Sequence, residues 1–283
     1  MSKVWFITGA SRGFGWEWTL AALRRGDRVA ATARDLTTLR ELSVDYHDSL
    51  LPLVLDVTDE SAASAAVRAA HEHFGQLDVV VNNAGYGLYG FVEEPSSTQV
   101  REQMEVNFFG ALWVTRAALP YLRAQRSGHF IQVSSGAGLV TAARFGLYSA
   151  SKHALEAVSE ALAQEVGPQG ISVTLVEPGP YATGFNQSVT LAAEMPEYVA
   201  THREAERALG DFMGAQGDPA TTTAVILEVV DAAEPPLRVL LGPTMFDFVR
   251  SEYEQRLDTW TRWESRHDET RSPHGDQPTG LSG

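Results

Sequence analysis

VWFITGASRGFGWEW, residues 4 to 18, runs from an apolar β-rich segment through three glycines into a segment of helical composition. Glycines in such a strand-to-helix turn let the backbone approach a pyrophosphate, while the helix start offers free N–H donors and a partial positive charge. The spacing is Gly9-x-x-x-Gly13-x-Gly15, not the Gly-x-Gly-x-x-Gly of the general dinucleotide motif. A plain structural turn would also use these residues. The position between a first strand and a first helix favours a nucleotide site, with Thr8, Gly9, Ser11, Arg12, Gly13, Phe14 and Gly15 as its candidate contacts.

Working outward, apolar β-rich runs recur at RVAATA, LPLVLDV, LDVVVNNAG, HFIQVSS, ISVTLVEPG and LRVLLG, with helical stretches between nearly all of them. That alternation predicts an α/β fold, a single-domain doubly wound parallel sheet of about seven strands covered on both faces. Residues 1–245 are expected to form one Rossmann-type dinucleotide-binding and catalytic domain. Within it, the mixed-polarity stretch 184–217 breaks the rhythm and reads as a substrate-loop insertion over a site. Residues 246–283 read as a C-terminal helix followed by a polar tail, RHDETRSPHGDQPTGLSG, expected to lack order.

The chain has 283 residues, 44% of them apolar, a formal charge of -14 and no cysteine. An acidic chain argues against nucleic acid or an anionic membrane as partner, so any anion site is built locally. Without cysteine there is no disulfide, thiolate catalysis or cysteine-based zinc site, and a cytoplasmic location is expected. No metal site is expected, and the apolar run at the N-terminus is too short for a membrane span.

The second strand, RVAATARDL, bears on which dinucleotide fits. A carboxylate at its end would hold the ribose hydroxyls of NAD, and an arginine would accommodate the extra phosphate of NADP. Asp35 lies about 20 residues past Gly15, which nominally suits NAD, but it also stands where an N-cap for LTTLREL belongs. Arg34 follows the apolar run directly, and Arg12 offers a second cation from the glycine loop. Two guanidiniums on one phosphate make charge-assisted bonds that a ribose hydroxyl cannot match. NADP(H) is therefore expected over NAD(H).

In YSASK, residues 148 to 152, a phenol and an ammonium stand four positions apart ahead of an amphipathic helical pattern, so Tyr148 and Lys152 share a helix face. Alone, such a pair usually means a packed ring beside a solvated amine. Together with TGASRGFG, Asp56 in LDVTD, NNAG at 82 to 85, Asn107 in EVNFFG, Ser135 and EPGPYATG, it resembles the compact single-domain branch of the short-chain dehydrogenase/reductase family, from Lys3 to Gly242. The resemblance implies that Asp56 and Val57 contact adenine, that Asn83, Ala84 and Gly85 lie along the cofactor, and that Pro178, Gly179 and Thr183 line the nicotinamide. A sheet-terminating turn and a helix N-cap are the plainer roles for the last two groups. It also implies a catalytic set of Asn107, Ser135, Tyr148 and Lys152; the family's serine, thirteen positions before its tyrosine, selects Ser135 over Ser134.

In that chemistry the phenol would donate a proton to the alkoxide formed by hydride transfer to a carbonyl. A tyrosine of pKa about 10 needs roughly 4 kcal/mol of preference for phenolate to work near neutrality. An ammonium about 5 Å away supplies on the order of 3 kcal/mol at an effective dielectric of 20, and the oxidised nicotinamide would supply the rest. Ser135 would polarise the carbonyl, and Asn107 would hold a water for Lys152. The expected reaction is NADPH-dependent reduction of a fairly bulky apolar ketone or aldehyde, or its reverse, because Tyr86, Tyr89, Phe91, Phe145, Leu147, Tyr181 and Phe185 cluster near the site in sequence. An NAD-dependent alcohol dehydrogenase and a catalytically silent NADP-binding regulatory protein are the alternatives. An epimerase also uses such a Tyr and Lys, but with different glycine spacing and a longer substrate domain. The family resemblance further implies a homodimer or homotetramer.

Overall fold

The computed structural model describes residues 2–213, 216–242 and 244–269; of the polar tail 266–283 expected to lack order, residues 266–269 instead continue the last helix, and 270–283 lie outside the described residues. So do the side chains of Phe212 and Met213 in the insertion. In chain order the elements begin β1 (Val4–Ile7), α1 (Gly13–Arg24), β2 (Arg28–Ala33), α2 (Thr37–Leu42), β3 (Leu50–Val54), α3 (Glu60–Phe74) and β4 (Val79–Asn82). A short β5 (Leu88–Tyr89) leads to α4 (Ser97–Met104), a π-helical turn at Glu105–Phe109, α5 (Gly110–Gln125), β6 (Gly128–Val133), α6 (Gly146–Val166) and β7 (Ile171–Pro178). The remainder is β8 (Thr190–Leu191), α7 (Val199–Met213), α8 (Thr223–Asp231), β9 (Arg238–Leu241) and α9 (Met245–Glu269).

Seven of these strands form one parallel sheet in the order β3-β2-β1-β4-β6-β7-β9, and β5 pairs with β8 in a separate two-stranded ribbon. The expected fold class is the observed one. Strands β1 and β4 are buried on both faces, which is why VWFI and VVVN read as continuous apolar runs rather than alternating ones. The two faces carry separate cores. One gathers Trp5, Ile7, Trp18 and Leu39, and the other gathers Phe6, Val67, Leu122 and Phe130.

Local chemistry sets the helix ends. Asp59 caps α3 by accepting from the N–H groups of Ser61 and Ala62, and Gly75 closes it at φ 79°. Ser96 and Gln99 form a capping box on α4. Asp35, expected as the N-cap of α2, sits one position further out: Leu36 is the N-cap, and Asp35 accepts from the backbone and hydroxyl of Thr37. An Asx turn satisfied by the first helical residue wins over direct capping.

The strand order reverses direction beside β1, between β1 and β4. In open parallel sheets the crevice at such a switch point, outside the carboxyl ends of the strands, is where ligands bind. The loops after β1, β2, β3, β4, β6 and β7 all open there.

Candidate active site

A cavity of about 1270 Å³ occupies that crevice. The glycine loop forms its floor, with Gly9 and Gly13 at φ 64° and 58°, a backbone that side chains rarely adopt. Gly15 has another reason to be glycine: an added Cβ would stand 2.5 Å from the Gly9 carbonyl oxygen and 2.6 Å from Asn83 Nδ2. Asn83 Nδ2 donates to the carbonyls of Thr8 and Gly9 at 2.9 and 3.0 Å, clamping the loop from the neighbouring strand. Thr8 is buried under the loop, and its hydroxyl accepts from the N–H groups of Asn83 and Ala84 while donating to the Val81 carbonyl. Thr8 and Gly15 thus support the cradle without lining the cavity. Gly9, Ser11, Arg12, Gly13 and Phe14 line it directly. A narrow, glycine-floored cradle at a helix N-terminus fits a pyrophosphate.

Arg34, Asp56 and Val57 border the same cavity from the ends of β2 and β3, and Asn83, Ala84 and Gly85 from the end of β4. The Asp35 carboxylate is turned away and held by Thr37, whose hydrogen bonds also lower its pKa. The carboxylate nominally suited to ribose hydroxyls is therefore engaged elsewhere, while Arg34 faces the cavity. Arg12 also lines it, with its Nη2 on Ser188 Oγ at 2.6 Å, so the glycine loop touches the insertion. Asp56 accepts from the backbone and hydroxyl of Thr58.

The reactive end is built by α6. Tyr148 and Lys152 are both buried, at 6% and 4% exposure, and Lys152 Nζ donates to the Val133 carbonyl at 2.8 Å. Burial pushes the phenol up to about 12, with a hydrogen bond to Ser135 as the opposing influence. Burial pulls Lys152 down to about 8, and the charge of Glu156 works against that fall. The downward shift is expected from Lys152 and the oxidised nicotinamide together; the protein's own groups move the phenol upward, with desolvation of the phenolate as the largest influence. Ser135 Oγ accepts from Ala137 N and donates to the Pro178 carbonyl. Ser134 Oγ instead lies beside Gly138 and Glu156, away from the phenol.

Asn107 sits in the π-helical turn, buried at 1% exposure. Its Oδ1 accepts from Tyr86 N, and its Nδ2 donates to the Tyr86 carbonyl and Ser151 Oγ. It does not line the cavity. A Cβ on Gly85 would lie 3.1 Å from Asn107 Oδ1 and 3.5 Å from Lys152 Nζ, so the missing side chain of Gly85 leaves a gap that both groups face.

Tyr86, Tyr89, Phe145, Tyr181 and Phe185 line the cavity as expected, with Phe185 and Tyr89 rings 5.7 and 6.3 Å from that of Tyr148. Phe91 and Leu147 do not line it; Phe91 stacks on His202. Pro178, Gly179 and Thr183 border it, and Thr183 Oγ1 also accepts from Phe185 N, the first residue of a 3-10 turn.

Of two further walls, one belongs to the 184–217 insertion expected over the site, and sequence reasoning missed the other, on α9. Ala205 and Ala208 of α7 and Met245 and Phe248 of α9 line the cavity. Met245 packs so closely on Gly136, next to Ser135, that a Cβ there would meet its sulfur at 2.2 Å. Helix α7 is fastened by a buried contact, His202 Nε2 to Glu94 Oε1 at 2.6 Å, and by Arg144 on Glu206 at 2.8 Å. These partners are far apart in sequence, and only the glycine at 136 hinted at close packing.

The short chain dehydrogenase family model matches residues 3–194. An oxidoreductase of Botryotinia fuckeliana is 38% identical over 266 residues, spanning 93% of this chain and 97% of its own. An NADPH-dependent 3-dehydrocapnine reductase of Ornithobacterium rhinotracheale is 37% identical over 183 residues, spanning 62% of this chain and 65% of its own. Among solved structures, a short-chain dehydrogenase from Streptomyces avermitilis superposes with a TM-score of 0.88 at 36% identity, covering 94% of this chain and 97% of that one.

Proposed function

The chain belongs to the short-chain dehydrogenase/reductase family of oxidoreductases, and we propose that it is an NADPH-dependent reductase of a fairly bulky apolar ketone or aldehyde, able to run in reverse. The observation that carries this is the buried Tyr148, with Lys152 on its own helix face and Ser135 against its phenol, at the apolar end of a cavity whose other end holds Arg12 and Arg34. The relative named NADPH-dependent supports the same cofactor.

When bound, NADPH supplies a hydride. Gly9 to Gly15, clamped by Asn83, would receive the pyrophosphate; Arg34, joined by Arg12 once released from Ser188, would take the additional phosphate; Asp56 and Val57 would flank the adenine; Pro178, Gly179 and Thr183 would flank the nicotinamide. Ser135 would donate to the substrate carbonyl as negative charge grows on its oxygen. Tyr148, protonated at neutral pH, would deliver the proton. Lys152 would hold positive charge beneath the phenol, and the gap over Gly85 would let Asn107 and Lys152 share a water that resupplies the proton.

Tyr89, Phe145, Phe185, Met245 and Phe248 would form the substrate wall. Their apolar surface favours a bulky hydrophobic carbonyl over a charged one. We further assign a cytoplasmic location and a homo-oligomer; among the described residues no helix is long and apolar enough to cross a membrane.

The test follows nicotinamide absorbance with a panel of apolar ketones and aldehydes, NADPH and NADH in parallel. NADPH consumption that Tyr148→Phe abolishes, without loss of NADPH binding, is expected. Unchanged turnover in that variant would overturn the assignment of the proton donor.

A further inference from the structure

Behind Lys152 lies a charge cluster that the proposed chemistry leaves unused. Glu156 follows Lys152 by one helical turn on α6, Glu177 stands on β7, and Arg238 reaches both from β9. One guanidinium nitrogen, Nη1 of Arg238, bonds Glu156 Oε2 and Glu177 Oε1, while Nη2 bonds Glu160 Oε1 at 2.5 Å. Glu156 and Glu177 are 5% and 2% exposed, whereas Glu160 is half exposed.

Three carboxylates thus face a single guanidinium, and the charge of Glu156 also acts on the Lys152 ammonium. Two carboxylates crowded on one nitrogen in a sheltered site do not ionise independently, because the charge of one disfavours ionisation of the other. Glu156 Oε1, the oxygen that Arg238 does not hold, is buried beside the Ser134 hydroxyl.

We propose that Glu156 and Glu177 are a proton-sharing carboxyl pair that sets the charge of Lys152, which makes Glu156 a positioning residue for the reaction. This rests on the reading of Tyr148 and Lys152 given above. Burial, and after it the charge of Glu156, pushes Glu177 up to about 7 against the pull of Arg238; burial raises Glu156 as well, against the Ser134 hydroxyl and then Arg238. As pH rises through neutrality the pair loses its proton, and the negative charge uncovered one turn from Lys152 keeps the ammonium charged to higher pH. The charged groups facing the pair are Lys152 and Glu160 on α6 and Arg238 on β9.

The sequence offers a direct probe, because Lys3 and Lys152 are the chain's two lysines. Full-length protein labelled with carbon-13 at the lysine Cε gives two resonances, assigned through Lys3→Arg and titrated by NMR. In the unsubstituted protein the Lys152 signal is expected to move in two steps, a small one near neutrality from the pair and a larger one from its own ionisation. Glu156→Gln is expected to lower the Lys152 midpoint by about one pH unit, and Glu177→Gln to abolish the small step. Glu160→Gln, more exposed and two turns from Lys152, is expected to leave both in place.

A Lys152 midpoint that ignores Glu156→Gln overturns the proposal. If that variant does not fold, a single-step Lys152 curve in the unsubstituted protein, the same in Glu177→Gln, overturns it equally. A clamp that only joins α6, β7 and β9 would lower the melting temperature without moving the lysine. Where turnover is measured, the alkaline limb of the pH–rate profile is expected to follow the Lys152 midpoint, and a limb that stays fixed overturns the positioning role. Absence of turnover in the unsubstituted protein strikes the oxidoreductase reading alone, since the titration needs no substrate.

Discussion

Alanine at Gly26, Gly15 and Gly13 separates the two physical reasons for glycine in and around the cofactor cradle. At Gly26 the backbone is left-handed, φ 89°, and nothing lies within 4 Å of an added Cβ. The variant bears only the left-handed penalty of about 1–2 kcal/mol, partly offset by about 0.4–1 kcal/mol from a less flexible unfolded chain. A net destabilisation of about 1 kcal/mol follows, with cofactor affinity unchanged. At Gly15 the methyl meets the Gly9 carbonyl oxygen at 2.5 Å and Asn83 Nδ2 at 2.6 Å. Alanine gains helix propensity there, so stability changes by less than the overpacking cost of about 1–3 kcal/mol. The forced shift falls on Gly9 and its Asn83 clamp, and NADPH affinity is expected to drop at least about tenfold, or roughly 1.4 kcal/mol. At Gly13, φ 58° combines with a contact of 2.8 Å to the Thr183 carbonyl oxygen. Both losses are expected, about 2–3 kcal/mol of stability and weakened binding. Urea unfolding and fluorescence titration with NADPH measure the two quantities separately. Gly15→Ala with unaltered NADPH affinity, or Gly26→Ala with a large loss of it, would refute the reasoning.

Three further outcomes are expected. Arg34→Ala should weaken NADPH by about 10- to 100-fold, the scale of a charge-assisted hydrogen bond, while NADH affinity measured in parallel stays constant; equal losses would remove Arg34 from the phosphate site. In the reductive direction the rate should fall as pH rises through about 8, where Lys152 loses its proton, because Tyr148 at about 12 remains protonated throughout; a pH–rate profile flat to pH 10 would contradict this. His129 is buried against Thr174 and held down to about 4, first by burial and then by Lys3. Between its usual value near 6.5 and about 4 the unfolded chain binds the extra proton, so stability falls as pH drops across that window. Melting temperatures from pH 7 to 4 should show that fall, and His129→Gln should flatten it.

Much of the architecture is legible in the chain because its signals are local. Strand β1 and the turn after it announce themselves through VWFI followed by glycines at positive φ, and the sheet follows from apolar runs alternating with helical ones. Most candidate contacts line one cavity, many of them because they follow parallel strands, while Thr8, Gly15 and Asn107 do not line it. What is hidden depends on distant partners. Asp35 is a local exception: Thr37, two positions on, holds its carboxylate, and the choice between an Asx turn and a direct N-cap turns on the backbone at Leu36. Nothing near Asn107 reveals a π-helical turn that commits its amide to Tyr86. The pairing of Glu94 with His202, of Arg144 with Glu206, and of Met245 with Gly136 joins residues about a hundred positions or less apart only after the sheet has formed. The sign of the Tyr148 shift was hidden for a related reason: burial of the phenol is a property of the packed site, while the pattern YSASK shows only that a cation is near.

The most direct test of the account is isotopic. Protein, an apolar ketone and NADPH deuterated at the transferring position of the nicotinamide are incubated together, and the alcohol is analysed by mass spectrometry. One deuterium on the carbinol carbon, faster product formation with NADPH than with NADH, and no product with Tyr148→Phe are predicted. Alcohol formed without the label, or formed equally well by Tyr148→Phe, would contradict hydride transfer completed by that phenol.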